Sequence, residues 1–130
     1  MKAINKDVFK ALLEIKSMPI LVDYIGEEIL KKSIVIDATE DFNLLCEHFD
    51  GEKFCPPFWY ENLTKMKRKV LVITNLANVD FDKQKQFIEI LKYRKINAYE
   101  LSDDCLIFVV CKKDEHHLLC EEVRSLLVWL

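Results

Sequence analysis

The sequence predicts an α/β protein: a mostly parallel sheet of four or five strands with helices on both faces, a three-layer sandwich. Three observations predict it. Short apolar runs, many of their residues β-branched, alternate along the chain with stretches whose apolar residues recur at three- and four-residue spacing. The runs themselves lack the apolar/polar alternation of a half-exposed strand, so each suits a sheet covered on both sides and joined by right-handed crossovers. Finally, 130 residues of which 51% are apolar make one hydrophobic core and are too few for two ordinary domains, so residues 1–130 read as a single domain.

The elements follow in order. Residues 5–16 place Val8, Phe9, Leu12, Leu13 and Ile15 on one side of an amphipathic helix. Met18-Pro19-Ile20-Leu21-Val22 is the first strand, because proline is tolerated at a strand's start and not inside a helix. Asp23 would cap a helix over 24–32 that turns Ile25, Ile29 and Leu30 inward, and Ser33-Ile34-Val35-Ile36-Asp37 follows as a second buried strand. A short helix is expected over 41–46. The stretch 48–57, with one glycine, two prolines and mixed charge, reads as an irregular loop.

Residues 58–63 resume helix, and Val70-Leu71-Val72-Ile73 is the most strand-like run in the chain. Asp80 or Asp82 would cap the next helix, with Phe87, Ile88 and Leu91 on its inner face. After a polar turn at Ser102-Asp103-Asp104, Leu106-Ile107-Phe108-Val109-Val110 forms the fourth strand. Residues 114–125 read as helix, and Leu126-Leu127-Val128-Trp129-Leu130 is either a fifth strand or that helix's apolar end.

Composition excludes several function classes. With 19 basic and 22 acidic residues there is no chain-wide attraction for nucleic acid or anionic membrane, so such a partner needs a local patch. No apolar run approaches the roughly 20 residues of a membrane span, and the first ten residues lack a signal-peptide core, which implies a cytoplasmic location. The 5 cysteines, odd in number and irregularly spaced, read as reduced thiols.

Ligands of parallel sheets bind at the C-terminal strand ends. The candidates there are Asp23, Asp37, Glu40, Thr74, Asn75 and Lys112. Cys111, His116 and Cys120, with His117, contain metal-ligating side chains, but their spacing matches no zinc pattern and an amphipathic helix accounts for them. Cys46, His48 and Cys55 form a similar group in the loop, where a nucleophilic Cys–His pair would need the fold to bring them together. Lys65-Met66-Lys67-Arg68-Lys69, with Lys92, Arg94 and Lys95 beside Tyr93 and Tyr99, is a basic stretch that a solvated face explains more simply than nucleic-acid contact. Phe54, Phe58, Trp59 and Tyr60 gather around the prolines, and Trp129 lies near the last residue. Each is either core filling or an anchor for a protein partner.

Pro56-Pro57-Phe58-Trp59, Val70-Leu71-Val72-Ile73-Thr74-Asn75-Leu76-Ala77, the Gln84-containing helix and the 101–111 segment resemble, in order and spacing, the core of AAA+ ATPases, chiefly the MoxR-like and dynein-related branch. The resemblance covers roughly residues 34–113 and implies a P-loop-NTPase-like or Rossmann-like sandwich. It also implies where catalysis would sit, and each element departs from the family's pattern. A phosphate cradle needs glycines and a Gly-Lys-Ser/Thr helix start. After Val22 the chain reads Asp23-Tyr24-Ile25-Gly26-Glu27-Glu28. Magnesium needs a carboxylate pair after the Walker B strand, where Thr74 and Asn75 stand. The sensor 1 position falls at about Lys112, and no lid domain follows.

These departures predict a protein without nucleotide hydrolysis or cofactor. The leading expectation is a non-catalytic module acting through protein contacts, by self-association or by docking on an active ATPase. Two alternatives belong to other classes: a small enzyme using Asp37, Glu40 or a Cys/His pair, and a nucleic-acid accessory protein using residues 65–69. No membrane role is expected.

Overall fold

The computed structural model describes residues 18–40 and 47–129. The helices expected over 5–16 and 41–46 lie outside them. The element order is β1 (Ile20–Val22), α1 (Glu27–Leu30), β2 (Ile34–Asp37), β3 (His48–Phe49), β4 (Phe54–Cys55), α2 (Phe58–Thr64), β5 (Val70–Thr74), α3 (Phe81–Lys85), α4 (Ile88–Tyr93), β6 (Lys95–Ile96), β7 (Tyr99–Glu100), β8 (Leu106–Val110), α5 (Glu121–Arg124) and β9 (Val128–Trp129). 3-10 turns follow β5 (Leu76–Asn78) and β8 (Lys113–Leu118).

Five strands form one sheet in the order β2-β5-β8-β1-β9, and every neighbouring pair is parallel. The fold is α/β, consistent with a three-layer sandwich, and 126–130 contributes a fifth strand. Registers such as Ile20↔Phe108 and Val72↔Phe108 set like faces side by side. Leu21, Ile36, Leu71, Ile73, Ile107 and Val109 therefore point to one face, where α2 (Trp59, Leu63), α4 (Ile90, Leu91) and α5 (Val123) pack with Phe87. Ile20, Val22, Val70, Val72, Leu106 and Phe108 point to the other, against which Ile25 and Val110 pack. Both faces are dry: Val72 and Phe108 on one, Leu71 and Ile73 on the other, are 0% exposed. At roughly 1.5–3 kcal/mol for each fully buried side chain of this size, the central pair β5 and β8 supplies much of the hydrophobic stabilisation.

Several expectations are corrected. β2 is an edge strand with Val35 exposed, because β5 covers it on one side only. The helix expected over 24–32 shrinks to the single turn α1 with Gly26 as N-cap and no buried residue, and Leu30 is exposed. Asp23 is not its cap. Residues 48–57 begin as a hairpin, because Asp50 Oδ1 accepts hydrogen bonds from the N–H groups of Glu52 and Lys53 (2.9 Å each) and Gly51 takes φ 102°.

The helix after Asp80, capped by Asp80 Oδ1 accepting from Lys83 N at 2.8 Å, breaks into α3 and α4. The helix expected over 114–125 also breaks. Leu119 and Cys120 take extended backbone between the 3-10 turn and α5, and that conformation buries both side chains. A second hairpin, β6–β7, turns through Asn97 at φ 52° and had no strand signal in the sequence.

Candidate functional site

Parallel strands deliver their C-terminal ends to one rim, and here β2, β5, β8 and β1 bring Asp37, Thr74-Asn75, Cys111-Lys112 and Asp23 together there. Beside them is a recess of about 340 Å³ lined by Asp23, Thr74, Asn75, Asn78, Cys111 and Lys112 among others. The strand ends grouped from the sequence therefore do meet at one rim. Its side chains are largely occupied with one another.

Asp37 lies opposite Thr74 in the β2–β5 register. Its Oδ1 accepts from Thr39 Oγ1 (2.6 Å), Thr39 N (2.9 Å) and Asn75 Nδ2 (3.1 Å). The Thr39 hydroxyl and then its N–H hold the carboxyl below its ordinary value against the opposing effect of burial, with a smaller contribution from Asn75. Asn75 takes the left-handed conformation (φ 61°, ψ 19°), which asparagine tolerates better than most residues. It also accepts from Asn78 Nδ2 at 2.9 Å. Thr74 Oγ1 donates to Ile36 O at 3.4 Å. Glu40 is exposed, and its backbone carbonyl accepts Lys83 Nζ at 2.6 Å. These contacts fasten the β2 and β5 ends. None leaves a carboxylate pair where a magnesium ion would need one.

Across the recess, His116 Nε2 lies 3.1 Å from Cys111 O and 4.0 Å from Asp23 Oδ1. A carbonyl only accepts, so the first contact puts the proton on Nε2. The His116 ring meets Trp129 edge-on at 5.1 Å, and Lys113 Nζ lies 5.4 Å from the same indole. Cys111 is buried, and burial, followed by the charges of Glu115, Asp23 and Asp114, pushes its thiol up to about 11. That thiol is no nucleophile at neutral pH. Cys120 is buried at the start of α5, and the broken helix removes the one-turn spacing from His116 that a shared metal would use. Among the described residues no group of three metal-ligating side chains forms. Cys46 lies outside them, and β3–β4 sets His48 opposite Cys55 in backbone register.

The aromatic residues divide. Trp59 belongs to the core, and Tyr60 gives its hydroxyl to Glu100 O at 2.7 Å and packs on Tyr99 at 5.5 Å. Phe54 (65%) and Phe58 (64%) are exposed, and Phe49 (58%) joins them with its ring 5.2 Å from that of Phe54. Sequence reasoning passed over Phe49, although Asp50-Gly51 beside it is a hairpin signal. Trp129 is half exposed on the edge strand β9.

From the sequence, Gln84 is one residue of an expected helix. In the fold it is 0% exposed, its Nε2 donates to Val79 O (3.0 Å) and Leu118 O (2.9 Å), and its Oε1 accepts from Cys120 N (2.7 Å). It ties α3 to the segment after β8. Its only sequence signal was a polar residue one turn before Ile88 on the apolar side.

Among the described residues no helix is long and apolar enough to cross a membrane. No protein-family model, curated protein or solved structure matches the chain.

Proposed function

We propose that the chain is a non-catalytic α/β module that works through protein contacts, a degenerate relative of the AAA+ core that has lost ATP hydrolysis. The observation that carries the protein-contact reading is the exposure of Phe49, Phe54 and Phe58 within one short segment, two of them on a hairpin and one at the start of α2. Side chains of this type dominate binding hot spots, and a patch of exposed aromatic surface is the kind that marks a protein-contact site.

The degenerate-ATPase part draws support from adjacency. The strand in the Walker B position (β5) neighbours the strand in the sensor 1 position (β8), which neighbours the strand a phosphate loop would follow (β1). Their ends share one recess. Around it the chain offers a single glycine, Gly26, on a one-turn helix, and hydrogen-bonded Thr74 and Asn75 in place of an acidic pair.

Two measurements test the reading. ATP with magnesium is expected to leave the thermal midpoint unchanged, and stabilisation would overturn the lost-nucleotide-site part. Sedimentation over about a hundredfold concentration range is expected to show self-association that Phe54→Ser/Phe58→Ser removes. A monomer at every concentration would discard self-association as the form of contact.

A further inference from the structure

The N-terminal end of the sheet differs from the rim just described, because several of its charges are exposed and carry no ion pair among the described residues. Lys65, Lys67, Arg68 and Lys69 lead into β5, Lys92, Arg94 and Lys95 surround the end of α4, and Lys31 and Lys32 precede β2. These four, three and two residues are nine of the chain's 19 lysines and arginines. The fold joins the first two groups at the start of β8. Leu106 N donates to Lys69 O at 2.9 Å, and the Arg94 guanidinium donates to the carbonyl of Cys105 next to it and to Ser102 O at 3.2 Å.

Within this rim the cations have two roles. Arg94 is spent on the 102–105 turn, and Lys69 Nζ donates to Met66 O at 3.2 Å. Lys65, Lys67, Arg68 and Lys92 are exposed, and among the described residues no carboxylate lies within 4.0 Å of them. The nearby acids are Glu100, opposite Lys95 in the β6–β7 register, and Asp103 and Asp104, the latter bonded by Ser102 Oγ. Tyr93 is 61% exposed with Lys92 Nζ 5.3 Å from its ring centroid. A recess of about 380 Å³ in the same region is lined by Tyr60, Thr64, Lys69 and Ser102 and also by the acids Glu100 and Asp103, so the phosphate track is placed on the exposed cations outside it.

We propose that this rim binds single-stranded nucleic acid, with Lys65, Lys67, Arg68 and Lys92 neutralising backbone phosphates and the Tyr93 ring stacking on a base. Exposed cations beside an exposed aromatic ring are the pairing that single strands require, because a phosphate track holds the backbone while a ring takes up the unstacked base. A duplex hides its base faces, so an exposed ring beside the cations favours a single strand over a duplex. Because the whole chain carries a net charge of −3, attraction has to be local.

The test is fluorescence anisotropy of a labelled mixed-sequence oligonucleotide of about 20 nucleotides titrated with the full chain. Binding is expected at low salt, with log K falling against log salt at a slope of about −3 for four phosphates on a single strand. Lys67→Glu/Arg68→Glu and Lys92→Glu should each weaken it at least about tenfold, and Tyr93→Ala roughly tenfold. Lys113→Glu, which changes net charge as much as Lys92→Glu but follows β8 at the opposite end of the sheet, should leave affinity close to wild type. Absence of binding at low salt overturns the proposal, as does equal weakening by this control. Affinity for phosphatidylserine vesicles or polyglutamate equal to that for the oligonucleotide overturns it too.

Discussion

The two ends of the parallel sheet differ in what their polar side chains are doing. At the C-terminal rim Asp37, Thr39, Thr74, Asn75 and Asn78 form a closed set of hydrogen bonds, and His116 is held between Cys111 O and Asp23. At the N-terminal rim Lys65, Lys67, Arg68 and Lys92 stand in solvent with no carboxylate within 4.0 Å among the described residues. The lesson concerns the rule that α/β ligands sit at C-terminal strand ends. Position supplies the recess, but chemistry needs donors and acceptors not already used in holding the strands.

That contrast fails if the C-terminal side proves dispensable for stability. The largest effect is expected at Gln84, whose substitution by alanine leaves Val79 O, Leu118 O and Cys120 N without their partners in a dry site. Urea denaturation should show a loss of about 3–5 kcal/mol. Asp37→Asn keeps the shape but removes the charge that Thr39 and Asn75 solvate, and is expected to cost about 1 kcal/mol at neutral pH. The sign with pH follows from the direction of the shift. A carboxyl held below its ordinary value stabilises the fold above that value, and the stabilisation is lost as pH falls through the lowered one. The gap between wild type and Asp37→Asn should therefore close in acid.

Substitutions at the other rim sharpen the comparison from the opposite direction. Lys67→Glu/Arg68→Glu should change stability by no more than about 0.5 kcal/mol per site, because exposed charges without partners hold nothing together. The smallest effect is kinetic. Among the described cysteines, Cys55 should react first with a thiol reagent in the native protein, while Cys105, Cys111 and Cys120 wait for unfolding. Early labelling of Cys111 would show that the C-terminal recess opens.

The parts of this fold that were readable in the sequence are those decided by burial. Val70–Thr74 and Leu106–Val110 are apolar without a break because they occupy the sheet's interior, and the parallel α/β class follows from them. What could not be read depends on partners distant in sequence. Nothing around Gln84 announces that it bonds to Leu118 and Cys120, and nothing in 114–125 announces that this bond favours an extended Cys120 over a continuous helix. That the strand ends converge on one rim follows from the parallel sheet, whereas the hydrogen bonds among their side chains were not foreseen. Asp37 and Asn75 are far apart in the chain, and only their contact shows that each satisfies the other.

The strand order carries a consequence for how the chain is made. β1, the first strand, sits between β8 and β9, the last two, and bonds to no other strand of the sheet. During synthesis Ile20–Val22 emerges early and has no strand to pair with until Leu106–Val110 follows, so the sheet closes only after most of the domain has left the ribosome. Until then its apolar residues lack the strands that bury them, and a ribosome stalled before residue 106 would hold a chain that cannot complete this core.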